Sequence, residues 1–289
     1  MRTVSDFYDY ELIDADSGER LERWKDIILI RPDPQIIWSG RRNSKLWSNP
    51  HAIYHRSNSG GGYWQKILDK PDVWQVSYND LTFNLKPMGF KHTGLFPEQA
   101  VNWKLAAKLI EKAHQPVNVL NLFAYTGAAT VACLKAGASV THVDASKGMV
   151  MWAKENANST GVSDRNVRWL VDDCLKFVNR EIRRGKKYDA VIMDPPSYGR
   201  GPGGEVWKIE DKLSELLIST SKIISDNPLF FFLNSYTGGL SPTILNYMVS
   251  QYFPVKPTDT LFTEEIGLNI SAKDIALPCG STTVWISNE

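Results

Sequence analysis

Asp194 ends an apolar, β-branched run, YDAVIMD (188–194), and two prolines follow it. Neither proline can donate a backbone hydrogen bond and each fixes its own φ, while Pro195 also pushes Asp194 towards an extended conformation. The chain therefore leaves this strand as a stiff shelf poor in donors. The Asp194 and Pro195 carbonyls are expected to point outward, with Ser197 and Tyr198 beyond Pro196. A carboxylate and a carbonyl can grip the edge of a planar nitrogen group, and Tyr198 can stack on its face. Asp194, Pro195, Pro196 and Tyr198 are thus the candidate catalytic residues.

Other carboxylates stand at comparable places. Asp144 closes SVTHVD (139–144), Asp172 closes NVRWLVD (166–172) and Asp173 follows it. From about residue 116, short apolar runs alternate with helical segments. VNVLNLF (117–123) precedes GAATVACLKAGA (127–138), and KGMVMWAKENANSTG (147–161) reads as a helix stopped by Gly161. CLKFVNREIRRG has basic residues in its last turn, 206–224 reads as one long helix, and PLFFFLN (228–234) is a further strand. TDTLFTEEI and STTVWIS supply two more strands. Strands alternating with helices indicate an α/β fold with a parallel sheet covered on both faces. In such a sheet ligands sit beyond the carboxyl ends of the strands, where strand order reverses.

Residues 1–90 differ. They hold strand-like pieces (DIILIRP, VWQVSYND, LTFNLKPM) and turn clusters such as NSGGG, and read as a small β-rich domain ahead of an α/β domain spanning 91–289. Between these patterns, Pro97 suits the first turn of a helix running towards residue 114. The chain has 289 residues, with 43% hydrophobic and 22% charged, as in ordinary globular proteins. No apolar run reaches membrane-span length, and the acidic start lacks the apolar stretch of a secretion signal. A net charge of +1 gives no global attraction to nucleic acid. Cys133, Cys174 and Cys279 are widely spaced without a metal-ligand pattern, so no metal is expected; they read as reduced thiols of a cytoplasmic protein.

The first strand ends in NLFAYTG, where Gly127 permits a tight turn and the next helix offers free N–H groups. A nicotinamide dehydrogenase would carry G-x-G-x-x-G here. Only Gly127 is present, and Phe123 and Tyr125 crowd the loop. A nucleoside without phosphates fits better: Asp144 can accept from both ribose hydroxyls and Asp173 from an adenine amino group.

NLFAYTGAAT, VDASKGMVMWAKENA, DDCLKF and MDPPSYGRG, in this order, resemble the successive motifs of class I S-adenosylmethionine-dependent methyltransferases. They are similar in particular to the bacterial group of large-subunit (23S) ribosomal RNA methyltransferases, and the likeness extends upstream to KHTGLFPEQ. The resemblance implies a Rossmann-like, seven-stranded, mostly parallel sheet and S-adenosylmethionine as cofactor. It implies that the loop holding Phe123, Ala124, Tyr125 and Gly127 wraps the methionine moiety, with backbone contacts from Ala124 and Gly127. Asp144 would hold the ribose, Ser146 and Lys147 would border the adenosine, and Asp173 would meet the adenine with backbone from Cys174. Asp194 would lie beside the sulfonium, and Gln99 would reach the cofactor, although Ala100 stands where relatives usually have arginine. DPPSY is similar to the signature of nitrogen-directed methyltransferases, with its aromatic one position later than in the tightest form.

Carbon methylation of a pyrimidine needs a thiolate that adds to the ring. In C5-cytosine relatives that cysteine follows the fifth strand, where this chain has Ser235 and Tyr236, so no covalent intermediate is expected. Between Trp38 and Lys66 lie Arg41, Arg42, Lys45 and Arg56 with no acid, interleaved with Trp47, Tyr54, Tyr63 and Trp64. This is the composition of a single-stranded RNA surface, with Arg41, Arg42, Lys45, Trp47, Arg56 and Trp64 as contacts; equally, it is that of an aromatic core with a charged rim. The expected reaction is methyl transfer to a base in ribosomal RNA. Alternatives are a small-molecule or protein acceptor, or a catalytically silent RNA-binding assembly factor.

Overall fold

The structure, a computed structural model, describes residues 1–57, 61–200, 204 and 206–288. It divides into two units, Met1–Val101 with Ile266–Cys279 and Asn102–Glu265 with Gly280–Glu289. The first contains β1 (Arg2–Val4), β2 (Tyr10–Asp16), β3 (Glu19–Trp24), β4 (Ile27–Pro32), β5 (Ala52–Arg56), β6 (Gly62–Lys66), β7 (Trp74–Tyr78) and β8 (Leu81–Leu85). β2, β3 and β4 form an antiparallel meander, β5 runs parallel to β4, and β6 returns along β5. β7 and β8 make a separate hairpin. Of the NSGGG cluster, residues 58–60 lie outside the described ones.

Large apolar side chains occupy both faces of the meander. Trp47 sits on Ile13, Leu21, Ile28 and Ile30. On the other face the rings of Tyr10 and Trp24 lie 4.4 Å apart, with Phe7 against Tyr10 and Tyr78. A small domain holds together through such few, large contacts.

A 3-10 turn at Pro97–Gln99, with proline in its first turn, leads into α1 (Ala100–Lys112). There follow β9 (Asn118–Leu122), α2 (Ala128–Lys135), β10 (Ser139–Asp144), α3 (Lys147–Thr160), β11 (Val167–Val171), α4 (Cys174–Arg183) and β12 (Ala190–Met193). Then come β13 (Tyr198–Arg200), β14 (Val206–Lys208), α5 (Ile209–Ser221), β15 (Phe230–Ser235), α6 (Pro242–Tyr252), β16 (Thr260–Ile270) and β17 (Ile275–Ile286). β16 and β17 each contribute residues to both units.

The strand order in the second unit is β11-β10-β9-β12-β15-β17-β16. The first five are parallel and β17 is antiparallel to β15, giving the expected seven-stranded Rossmann-like sheet. Order reverses at β9, whose neighbours are β10 and β12, and this is where a ligand crevice belongs. Leu120 and Leu122 face a core completed by α4, α5 and α6. Asn121 points to the opposite face and bonds to Thr130 of α2. Helix boundaries follow local chemistry: Ser146 caps α3 and Asp173 caps α4, while Gly161 ends α3 at φ 74°.

Part of the expected helix at 206–224 is a strand. Val206–Lys208 pairs antiparallel with Tyr198–Arg200, and the helix begins only at Ile209. A three-residue strand is too short to show a period, and Val206 and Trp207 favour extended backbone. α6, which has no counterpart in the sequence pattern, is capped by Ser241 and has Pro242 in its first turn.

Candidate active site

The loop after β9 carries three left-handed residues within five: Phe123 (φ 54°), Tyr125 (φ 51°) and Gly127 (φ 81°). For the two aromatics this conformation costs about 1–2 kcal/mol each, so the surroundings must impose it. The Phe123 N–H donates to Cys174 Sγ (3.3 Å), Ala124 N–H to Val143 O (3.1 Å) and Tyr125 N–H to Asp144 Oδ2 (2.8 Å). Asn156 Nδ2 of α3 holds the Thr126 carbonyl at 2.8 Å. A Cβ on Gly127 would lie 2.7 Å from Ala153 Cβ, so glycine is required both by φ and by the close approach of α3.

A buried polar chain supports this loop. Asn121 Nδ2 donates to Thr130 Oγ1 (2.9 Å), which lies 2.9 Å from His142 Nδ1. The His142 ring is fully buried against Trp169, and its Nε2 has no hydrogen-bond partner. Burial pushes its pKa down to about 3, so the imidazole is neutral.

Asp144 joins two strand ends. Oδ1 accepts from Ser146 N–H and Oδ2 from Tyr125 N–H, both at 2.8 Å. Burial raises the carboxyl above its ordinary value, and the two N–H groups work against that rise. Each oxygen retains lone-pair capacity for a hydroxyl donor. Ser146 and Lys147 are exposed beside it. The Asp172 N–H donates to Asp144 O (3.0 Å), bringing the third strand end into the same group.

Asp173, expected to meet a ligand, accepts from Lys176 N–H at 2.8 Å as the cap of α4. Asp172 pairs with Arg180. Cys174 takes part through its side chain: the buried thiol accepts from Phe123 and contacts Val143 O. Sequence reasoning gave it only a backbone role, because the thiol's partner lies 51 residues away.

On the other side of β9, Asp194 is half-buried, Pro195 buried and Pro196 exposed, while Tyr198 is 54% exposed. Trp207 Nε1 donates to Pro196 O at 2.5 Å, and the indole packs on Phe123 with centroids 5.1 Å apart. Ser197 O accepts from Ile209 N–H, and Ser197 Oγ lies 2.6 Å from Thr237 Oγ1 in the loop after β15. Trp207 and Thr237, both missed in the sequence, thus fix the shelf. Gly201 of the DPPSYGRG stretch lies outside the described residues.

The register fixes the relation between the two sides. Leu122 pairs with Val143 and with Met193, so Asp144 and Asp194 stand at the ends of the two strands that flank β9, on either side of the Phe123 loop. Gln99 is buried in its 3-10 turn within the first unit.

The basic–aromatic stretch resolves into core and rim. Trp47 is buried, donates to Asp14 Oδ2 at 2.8 Å and lies under Arg42, so it offers no free face to a base. Arg42 is paired with Glu19 at 2.6 Å. Trp64 is half-buried, packs edge-on to Tyr54, and donates to Met88 O and Phe90 O. Both indoles therefore serve packing, because this small domain builds its core from them. Arg41, Lys45, Arg56 and Tyr63 remain exposed.

The sequence model of the family described as S-adenosylmethionine-dependent methyltransferase matches residues 52–228. The chain belongs to this family. A solved methyltransferase of the same description from Agrobacterium tumefaciens is 33% identical, with TM-score 0.92, covering 98% of this chain and 92% of that one. The ribosomal RNA large subunit methyltransferase K/L of Shewanella frigidimarina is 31% identical over 248 residues, 78% of this chain and 34% of that protein. The chain thus spans about a third of the length of such curated relatives. The Pyrococcus abyssi tRNA (uracil-54, C5)-methyltransferase, solved with S-adenosyl-L-homocysteine, shares the fold at TM-score 0.52 and 14% identity.

The methyltransferase site fits its cofactor, S-adenosylmethionine. Residues 118–134 contain no lysine or arginine for a diphosphate, whereas the strand ends present carboxylates suited to ribose hydroxyls and a cationic sulfur. Among the described residues there is no His/Cys/Asp/Glu group able to hold a metal, and no helix is long and apolar enough to cross a membrane. All three cysteines are buried and free, and burial raises each thiol, Cys133 to about 12.

Proposed function

We propose that this methyltransferase acts on a base nitrogen in RNA, with ribosomal RNA as the acceptor, in the cytoplasm and without a covalent cysteine intermediate. S-adenosylmethionine supplies an already activated methyl group, so the protein's part is to hold, orient and exclude water. Asp144 holds the ribose, with Ser146 and Lys147 beside the adenosine. Asp173 and the Cys174 backbone meet the adenine. Phe123, Ala124, Tyr125 and Gly127 surround the methionine portion. Asp194 and the Pro195 carbonyl accept hydrogen bonds from the acceptor nitrogen's edge, Pro196 stiffens the shelf, and Tyr198 stacks on the base. Residues 1–90 present the RNA and 91–289 carry out the transfer.

The observation that carries this reading is the placement of Asp144 and Asp194 on either side of the β9 end. The name of the Shewanella relative supports the acceptor, and the raised, buried thiols support a non-covalent route. The experiment is transfer of tritiated methyl to ribosomal RNA, followed by mass spectrometry of its nucleosides. Label in an N-methylated nucleoside, lost in Asp194→Asn with cofactor binding retained, is the expected result. Label confined to a small molecule or a protein defeats the RNA assignment.

A further inference from the structure

Arg20 on β3 stands directly across the ladder from Arg31 on β4, and both are buried. Like charges opposed in this way destabilise a sheet unless anions separate them. Glu22 does part of this work: it accepts from Arg31 Nε (2.5 Å) and Nη2 (2.7 Å), and from the Tyr10 hydroxyl. Asp33 takes Arg20 Nη2 at 3.0 Å. The two arginines are thereby matched by two carboxylates, but Arg20 Nε remains buried without a partner.

Two further cations join this balanced group. Arg31 Nη1 donates to the carbonyl of Lys91 (3.0 Å), and Lys91 Nζ donates to Pro32 O (3.2 Å). The segment around Lys91 is also held by the β5–β6 hairpin, since the Tyr54 hydroxyl reaches Gly89 O and Trp64 Nε1 reaches Met88 O and Phe90 O. Arg56 follows Tyr54 on the same face of β5 and is exposed, while Lys91 is half-buried. Burial and the neighbouring Arg20, Arg31 and Arg56 push the Lys91 amine down to about 8, with Asp33 opposing. Thr93 Oγ1, two residues on, is buried without a partner. Four cations thus face two carboxylates, and the surplus lies where the cluster opens to solvent.

We propose that Lys91 and Arg56, backed by Arg20 and Arg31, form a phosphate-binding site that takes one backbone phosphodiester of the RNA acceptor. This identification of the ligand rests on the RNA reading above. A bound phosphate oxygen supplies the missing negative charge, and the buried arginines strengthen the field at Lys91 without needing to reach the surface.

The test is binding of a single-stranded ribosomal RNA fragment by fluorescence anisotropy over a salt series, with Lys91→Met and Arg56→Gln. Each variant is expected to bind more weakly at low salt, and the slope of log K against log salt is expected to fall by about 0.7 per lost phosphate contact. Cofactor affinity is expected to stay unchanged in both, and Lys91→Arg to keep the wild-type slope. Arg56 is exposed, so that variant leaves the fold intact. Wild-type slopes in both neutral variants overturn the site while leaving RNA as the acceptor. If the wild-type protein binds no RNA, the acceptor reading fails instead, and inorganic phosphate then decides the site. A rise in the Lys91 amine pKa on phosphate addition, followed by NMR, supports it, and an unmoved pKa overturns it.

Discussion

Asp144 and Asp194 each follow a residue paired with Leu122, Val143 on one side and Met193 on the other. Their backbones are therefore two strand spacings apart, roughly 10 Å, across one strand end. Between them runs a loop whose left-handed aromatics are held by the same strand ends. One carboxylate organises the loop, and the other opens the proline shelf.

Removing the Asp144 carboxyl deprives Tyr125 and Ser146 N–H groups of their acceptor and removes the proposed ribose partner. Asp144→Ala is expected to weaken S-adenosylmethionine binding by about 1.5–3 kcal/mol, the scale of lost buried hydrogen bonds. Isothermal titration measures this directly, and unchanged affinity contradicts the assignment. Because burial raises the Asp144 carboxyl, the acid-side loss of wild-type affinity should lie above the ordinary aspartate range.

Trp207 acts through the shelf, as a positioning residue. Trp207→Phe keeps an aromatic body against Phe123 but cannot donate to Pro196 O. The expected cost is about 0.5–1.5 kcal/mol, a few-fold to tenfold in kcat, with the KM for cofactor nearly constant. A change confined to KM excludes a role in placing the shelf.

Gly127→Ala meets two separate obstacles, a φ of 81° and Ala153 Cβ at 2.7 Å. The left-handed backbone alone costs about 1–2 kcal/mol, and the contact adds to it. Ala153→Gly is expected to relieve the contact but not the φ, so the pair should lose less stability than the two single variants summed. Denaturant unfolding of the four proteins in a cycle decides this; strict additivity contradicts the contact.

What the sequence disclosed and withheld follows from range. Strand-end acids are visible because each terminates an apolar run within its own segment, as Asp144 and Asp194 do. Gly161 is legible as a helix stop for the same reason. Trp207 is not, since its meaning depends on the pairing of two three-residue strands and on Phe123, 84 positions earlier. The contributions of β16 and β17 to the first unit escape too, because a continuous strand carries no mark where its neighbours change. Trp47 shows the converse limit: a tryptophan among cations reads alike as stacking surface or core, and only the Asp14 bond and its apolar bed decide.

His142 gives a pH signature to the support beneath the loop. Its folded pKa of about 3 lies below the ordinary histidine value of 6.5, so the unfolded chain takes up the proton first as pH falls. The stability tied to neutral His142 is therefore complete above pH 6.5 and is lost progressively from there towards pH 3. The slope approaches about 1.4 kcal/mol per pH unit, so about 2 kcal/mol is lost by pH 5. His92, also pushed down to about 3 by burial and its cationic neighbours, adds a smaller share because it is part-exposed. Comparing His142→Gln with wild type separates the two, since the variant keeps a polar partner for Thr130 but has no group that titrates. Urea unfolding at pH 8 and pH 5 should show the wild type losing more stability than the variant by about 2 kcal/mol. Equal losses mean that the imidazole is not held neutral, and that the Asn121–Thr130–His142 chain does not set the acid limit of this fold.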